Sequence, residues 1–328
     1  MKTADVSRYG LSVCVAALTL TSCGGAGTAT IAGPPSAESD ALQALGSNAV
    51  DSTALGATPL KATIYVANLA GDKVTAYSPN GKLALTITAD INGPFGVAVD
   101  KAGKIYVANS FPHSGGNVTT YTAAGKQTKP TITDGIVFPI DVLVDKHGKI
   151  YVSNIDNYSG SGYVSTYKPD GTQTSPTITT GIAGPVGLAV DTSGKIYVAN
   201  AYNNTVTTYK PDGTQTTPTI TGLDYPIGIA VDASGKIYVA NHSGGPRGTG
   251  SVTTYTADGK QTTPTIAAGT ESLYGVAVDT TGKIYLTNFQ GPGNKGGFGS
   301  VTAYTADGKR TTPTITKGIA GPALLTVH

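Results

Sequence analysis

The chain has no tryptophan, one methionine, five phenylalanines and two cysteines, and only 13% of its 328 residues are charged. Cys14 lies in an apolar leader and Cys23 closes it, so the remainder of the chain has no intramolecular disulfide framework. The four histidines, His113, His147, His242 and His328, lack paired spacing and a cysteine partner, which argues against a zinc centre. No Gly-x-Ser-x-Gly segment marks a serine nucleophile. A formal net charge of +2 gives no electrostatic reason to expect a nucleic-acid partner.

The chain is rich in the residues of strands and turns. Forty-four glycines, with abundant Thr, Tyr and Val, suit an all-β protein with many tight turns. The first residues stand apart: Lys2 and Arg8 precede the apolar run Tyr9–Leu20, which is shorter than the roughly 20 residues a membrane-spanning helix needs. The run ends in Leu20-Thr21-Ser22-Cys23, which resembles the lipobox of bacterial lipoprotein signal peptides. The resemblance implies cleavage after residue 22, lipidation of Cys23 and export to the cell envelope, with the lipid holding the protein to a membrane. Gly24, not Asp, follows the cysteine, which by the same resemblance favours the outer membrane in a diderm cell. An ordinary secretory signal that happens to contain a cysteine is the alternative. Residues 24–60 are small, polar and almost uncharged, and read as a flexible tether.

From residue 61 the chain repeats. Ile64-Tyr-Val-Ala-Asn68 recurs from Ile105, Ile150, Ile196, Ile237 and Ile284, at spacings of 41, 45, 46, 41 and 47 residues. A period in the forties built of short strands predicts propeller blades. Each unit reads as four strands: a (such as 96–100), b (the Ile-Tyr-Val-Ala-Asn segment), c (such as 118–121) and d (such as 176–179). Strand d is read as beginning at Pro130, Pro176, Pro218, Pro264 and Pro313, and proline at one repeated position marks an edge strand. Strand d is then outermost and strand a lines the central channel. The first unit lacks strand a, and Pro322–His328 supplies one without a following b. The sum is six blades over 61–328, closed by a clasp of both chain ends, in which a monomer suffices for folding.

The unit Pro94-Phe-Gly-Val-Ala-Val-Asp-Lys-Ala-Gly-Lys-Ile-Tyr-Val-Ala-Asn109 resembles the NHL repeat, and its Tyr-Val-Ala-Asn segment resembles the YVTN propellers. Propellers of this kind host binding proteins, lyases, lactonases and scaffolds, so the resemblance implies a fold and not an activity. Six-bladed relatives of the gluconolactonase type carry a divalent ion in the channel, held by Glu, Asn and Asp. This chain lacks their leading Glu-Gly-Pro segment. Streptogramin-inactivating lyases are similar too, but depend on His and Glu groups not located here.

Residues present in every blade belong to the blade. Asn68, Asn109, Asn154, Asn200, Asn241 and Asn288 are expected to cap strand b, and Asp100, Asp145, Asp191, Asp232 and Asp279 to shape turns. Function is expected where symmetry breaks. The b–c loops at 69–73 and 201–205 are short, whereas those at 110–117, 155–163, 242–251 and 289–300 are long and glycine-rich. They carry His113, Tyr158, His242, Arg247, Phe289 and Lys295, a candidate surface for an envelope protein, a glycan or a small ligand. Drift in unconstrained loops is the bland alternative. Strand a has Gly96, Gly187, Gly228 and Gly275 at one position, but Leu324 in the closing blade and Asp141 in the third, where Asp141 is expected near the channel mouth on the long-loop face. There it could bind a cation, orient a hydroxyl or act as a base, or be a solvated substitution. The favoured reading is a binding module with no cofactor. The alternative is a metal-assisted hydrolase or lyase, lactonase-like, with a divalent cation at the channel.

Overall fold

The computed structural model describes residues 64–110, 115–156, 160–242, 250–267, 272–289 and 299–328. The expected signal, Cys23 and tether lie outside them. The first sheet contains β1 (Ile64–Asn68), β2 (Lys73–Tyr77) and β3 (Leu83–Ile87). Blade 2 is β4 (Pro94–Val99), β5 (Ile105–Asn109), β6 (Asn117–Tyr121) and β7 (Gln127–Ile132). Blade 3 is β8 (Pro139–Val144), β9 (Ile150–Asp156), β10 (Ser161–Tyr167) and β11 (Gln173–Ile178). Blade 4 is β12 (Pro185–Val190), β13 (Ile196–Asn200), β14 (Thr205–Tyr209) and β15 (Gln215–Ile220). Blade 5 is β16 (Pro226–Val231), β17 (Ile237–Asn241), β18 (Ser251–Tyr255) and β19 (Gln261–Ile266). Blade 6 is β20 (Leu273–Val278), β21 (Ile284–Asn288), β22 (Ser300–Tyr304) and β23 (Arg310–Ile315). The last strand, β24 (Pro322–Val327), returns to blade 1 and pairs with β1, giving the order β24-β1-β2-β3. This is the six-bladed, four-strand propeller expected, including the clasp.

Strand alternation builds the core between blades. On each strand b, Ile and Val turn toward the preceding blade while Tyr and Ala turn toward the next. Thus Ile105 and Val107 pack with Tyr65 and Ala67, whereas Tyr106 and Ala108 pack with Ile150 and Val152. Six such layers join neighbouring blades around the ring. Polar groups tie the same joints. Leu69 N–H donates to the Gly321 carbonyl, Ala320 N–H to Asn68 Oδ1, and Tyr77 O–H to the Lys317 carbonyl, each at 2.9 Å. The ring is therefore sealed by backbone and side chain together.

The repeated polar residues serve the blade as expected. Asn109 donates to the Val107 carbonyl and Thr119 Oγ1 and accepts Asn92 N–H, and Asn154 and Asn200 repeat the pattern. The turn carboxylates do more than shape turns. Asp232 Oδ1 accepts the Ser234 and Lys236 N–H groups, while Oδ2 accepts Tyr238 O–H at 3.1 Å. The following lysine crosses the same tyrosine ring and donates to a strand-d carbonyl, as Lys149 does over Tyr151 to Ser175.

Strand d differs from its reading in one respect. It begins three residues before each proline, at Gln127 in blade 2, and Pro130 stands inside the strand where the register against β6 shifts. The outermost position is as expected; the proline is accommodated by a bulge, where no ladder donor is required.

Candidate functional site

The chain direction places the d–a connections and b–c loops on one face and the a–b turns on the other. At the long-loop end, the second residue of each inner strand turns into the ring. Phe95, Ile140, Val186, Ile227 and Ala323, with Leu324, form one buried apolar cluster, and Tyr274 packs on it. Phe95 of blade 2 and Tyr274 of blade 6 lie 5.9 Å apart between ring centroids. Among the described residues these side chains crowd the channel at that end.

Asp141 is displaced from its expected place as a result. It follows Ile140 and lies below this apolar layer, 8% exposed, facing the channel interior. Oδ1 accepts Val142 N–H and Oδ2 accepts Leu188 N–H from the next blade, both at 2.9 Å. Its own N–H donates to Ser153 Oγ, whose hydroxyl donates to the Val186 carbonyl. Burial pushes the Asp141 carboxyl up to about 7, against the lowering effect of the two amide donors. Four of its equivalents are glycines and the closing blade has Leu324; at Gly187 the inner strands leave no room, since a Cβ there would lie 2.4 Å from the Ile227 carbonyl oxygen.

Above the apolar layer the described residues converge on blades 5 and 6. His242 N–H donates to the Tyr225 carbonyl, and His242 Nδ1 lies 2.9 Å from the Leu273 carbonyl oxygen. A carbonyl only accepts, so Nδ1 carries the proton and Nε2 is left as an acceptor. Burial pushes the imidazole pKa down, more than the Leu273 carbonyl raises it, so His242 is neutral at pH 7. Tyr274 meets the His242 ring edge-on at 4.8 Å and stacks on Phe289 at 5.0 Å. Tyr225 completes the group, 6.0 Å from His242 between centroids.

Tyr225 is held at cost. It has φ +52°; at the equivalent place before strand a stand Gly93, Gly184 and Gly321, with Phe138 in blade 3 and Ser272, at φ +49°, in blade 6. A left-handed backbone at a non-glycine residue costs about 1–2 kcal/mol. Its buried hydroxyl has no hydrogen-bond partner among the described residues, and burial raises its pKa, with Tyr202 and Tyr274 adding to the shift. Asn204, in the short loop of blade 4, fixes the position by accepting Tyr225 N–H at 2.9 Å.

Of the loop residues singled out from sequence, His242 and Phe289 are brought together, bridged by Tyr274. His113, Tyr158, Arg247 and Lys295 lie outside the described residues. Asp141 is separated from the pair by the apolar layer. Tyr225 and Tyr274 were not expected. A legible signal existed: Tyr225 stands where three blades have glycine before a strand-a proline, and Tyr274 is the one hydroxyl-bearing residue at the second strand-a position.

Residues 137–268 match the family described as SMP-30/Gluconolactonase/LRE-like region. No curated protein matches the chain by sequence. A protein of unknown function from Bacteroides caccae superposes with TM-score 0.64 at 14% identity, over 81% of this chain and 98% of that one. A chain of a nidogen/laminin complex gives 0.63 at 19% identity, over 81% and 97%. A gluconolactonase from Xanthomonas campestris gives 0.52 at 18% identity, over 70% and 84%. At these identities the likeness is one of fold.

A divalent ion of the gluconolactonase kind does not fit the described residues. Among them no three His, Cys, Asp or Glu side chains group to hold a metal. The channel end where such an ion would face the long loops is filled by Phe95, Ile140 and Leu324. Asp141, the expected carboxylate, is turned to backbone amides on the other side of that layer.

Proposed function

We propose that the protein is a binding module that holds a hydroxylated ring, a sugar or sugar lactone, against the aromatic surface of Tyr225, His242, Tyr274 and Phe289. The observation that carries this reading is Tyr225, which holds an aromatic side chain at φ +52° beside His242, with a buried hydroxyl that has no hydrogen-bond partner among the described residues. Aromatic rings supply flat apolar contact, and the His242 Nε2 acceptor and tyrosine hydroxyls match ligand hydroxyls. In this reading the long loops complete the surface, and lipidation at Cys23 holds the module at the bacterial cell envelope.

Calorimetric titration with sugars and their lactones tests it. His242→Ala and Phe289→Ala are expected to weaken binding roughly tenfold or more while the far-ultraviolet spectrum is unchanged. Binding unaffected by both substitutions would overturn the choice of surface.

The match over residues 137–268 favours a second reading, hydrolysis of a lactone at the same surface. Lactone turnover that requires an added divalent cation, together with a saturable rise in Tm on adding that ion, would establish it. Ligand binding without turnover under any ion would leave the binding module.

A further inference from the structure

The other end of the channel carries a separate feature. Below the apolar layer the inner strands enclose a cavity of about 280 Å³, whose walls run from Asp141 and Leu324 down to Val190, Val231 and Val278. Those valines end their strands, so the cavity opens on the a–b turn face. Asp141 is its single ionisable lining residue, and the walls are otherwise Val, Ala, Leu and Ile side chains with Thr326 and one glycine. Each inner strand pairs on one side only, which leaves backbone groups on its other edge directed at the channel.

We propose that this channel is a second binding site, on the face opposite the aromatic surface, for a small alkylammonium ligand whose head pairs with Asp141. A buried carboxylate calls for a cation, because an ion removed from water is stabilised only by pairing or hydrogen bonds. Each Asp141 oxygen uses one acceptor site on an amide and has another left. An ammonium head has three N–H donors, enough to reach both carboxylate oxygens. Its alkyl tail suits the Val, Ala and Leu walls, which a bare metal ion would leave unused.

The ionisation of Asp141 is isolated from other titrating groups. Neither β4 nor β12, which flank β8, carries a titratable side chain. On β9, Tyr151 is engaged with Asp145 and Asp156 lies at the exposed far end, and on β5 and β6 Tyr106 donates to Asp100 and Tyr121 to the Ala89 carbonyl.

The test is calorimetric titration of the full chain with n-butylammonium chloride and with its neutral counterpart n-butanol. At about pH 8.5 the ammonium should bind saturably and n-butanol should not, and Asp141→Asn should weaken binding roughly tenfold or more. The wild-type chain at about pH 5, with Asp141 protonated, should lose affinity by a similar factor, which keeps the test independent of how the variant folds. Absence of saturable ammonium binding, equal binding of n-butanol, or affinity unchanged by both Asp141→Asn and acidification would overturn the proposal.

Discussion

Asp141→Asn should make the protein more stable in alkaline solution, and the size of the effect follows from the burial of the carboxyl. In the unfolded chain Asp141 titrates near 3.9; in the fold burial raises it to about 7. Between these values the native state holds a proton that the unfolded state has released. Stability therefore falls as pH rises through that window and levels off above it. The full difference of about three units corresponds to about 4 kcal/mol, of which about 2.7 kcal/mol falls between pH 5 and pH 9. Asparagine cannot ionise, but its amide offers one acceptor where the carboxylate offers two, so one backbone bond worth about 1 kcal/mol is lost. His242 titrates with the opposite sign in part of the same window, since its pKa is lowered by burial and its contribution appears as pH rises. Urea unfolding of wild type and variant at each pH, read as a difference, removes the histidine. The difference should be near zero at pH 5 and should favour the variant by about 3 kcal/mol at pH 9. A difference flat to within about 0.5 kcal/mol across that range would refute the placement of a desolvated carboxyl in the channel.

Gly228→Ala should destabilise the ring by about 1–3 kcal/mol in urea unfolding, because its Cβ would lie 2.7 Å from the Tyr274 carbonyl oxygen and backbone cannot rotate away. An unchanged midpoint would mean that inner strands part easily. Tyr225→Phe should raise stability by about 1 kcal/mol by removing a buried hydroxyl without a partner, and a measured loss would show that the hydroxyl is paired in solution. Removing Pro322–His328 takes away the strand that pairs with β1 and should give an aggregating product on size-exclusion chromatography; a monomeric truncation of equal Tm would overturn the clasp.

What could be read from the sequence was whatever repeats. Six copies of the strand-b segment, a proline in five strands d and a lone strand a at Pro322–His328 were enough for blade number, strand order and closure. The proline's place within strand d was misread by three residues, since the preceding Gln-Thr pair has no apolar pattern to announce a strand. The site was less legible for a physical reason. Strand-a side chains turn toward neighbouring blades or the channel according to a twist that period-two counting does not resolve, so Phe95 and Ile140 gave no warning that they crowd the channel above Asp141. Tyr225 escaped because its meaning lies in φ, which sequence reveals only through the glycines at three of its equivalents.

The two departures from symmetry are best understood together. A propeller channel lined by edge strands is open at both ends unless side chains fill it, and here the second strand-a position supplies Phe, Ile, Val, Ile and Ala at one end. That layer divides the axis into an aromatic surface above and a carboxylate cavity below, with no described polar path between them. A metal-dependent lactonase needs carboxylate ligands and substrate on the same side of such a layer, and in this chain Asp141 is on the side away from His242 and Tyr274. The rings gathered on the long-loop face offer neutral polar groups, His242 Nε2 among them. Such a set is suited to holding hydroxyls, and Asp141 is left to answer to what enters from the opposite face.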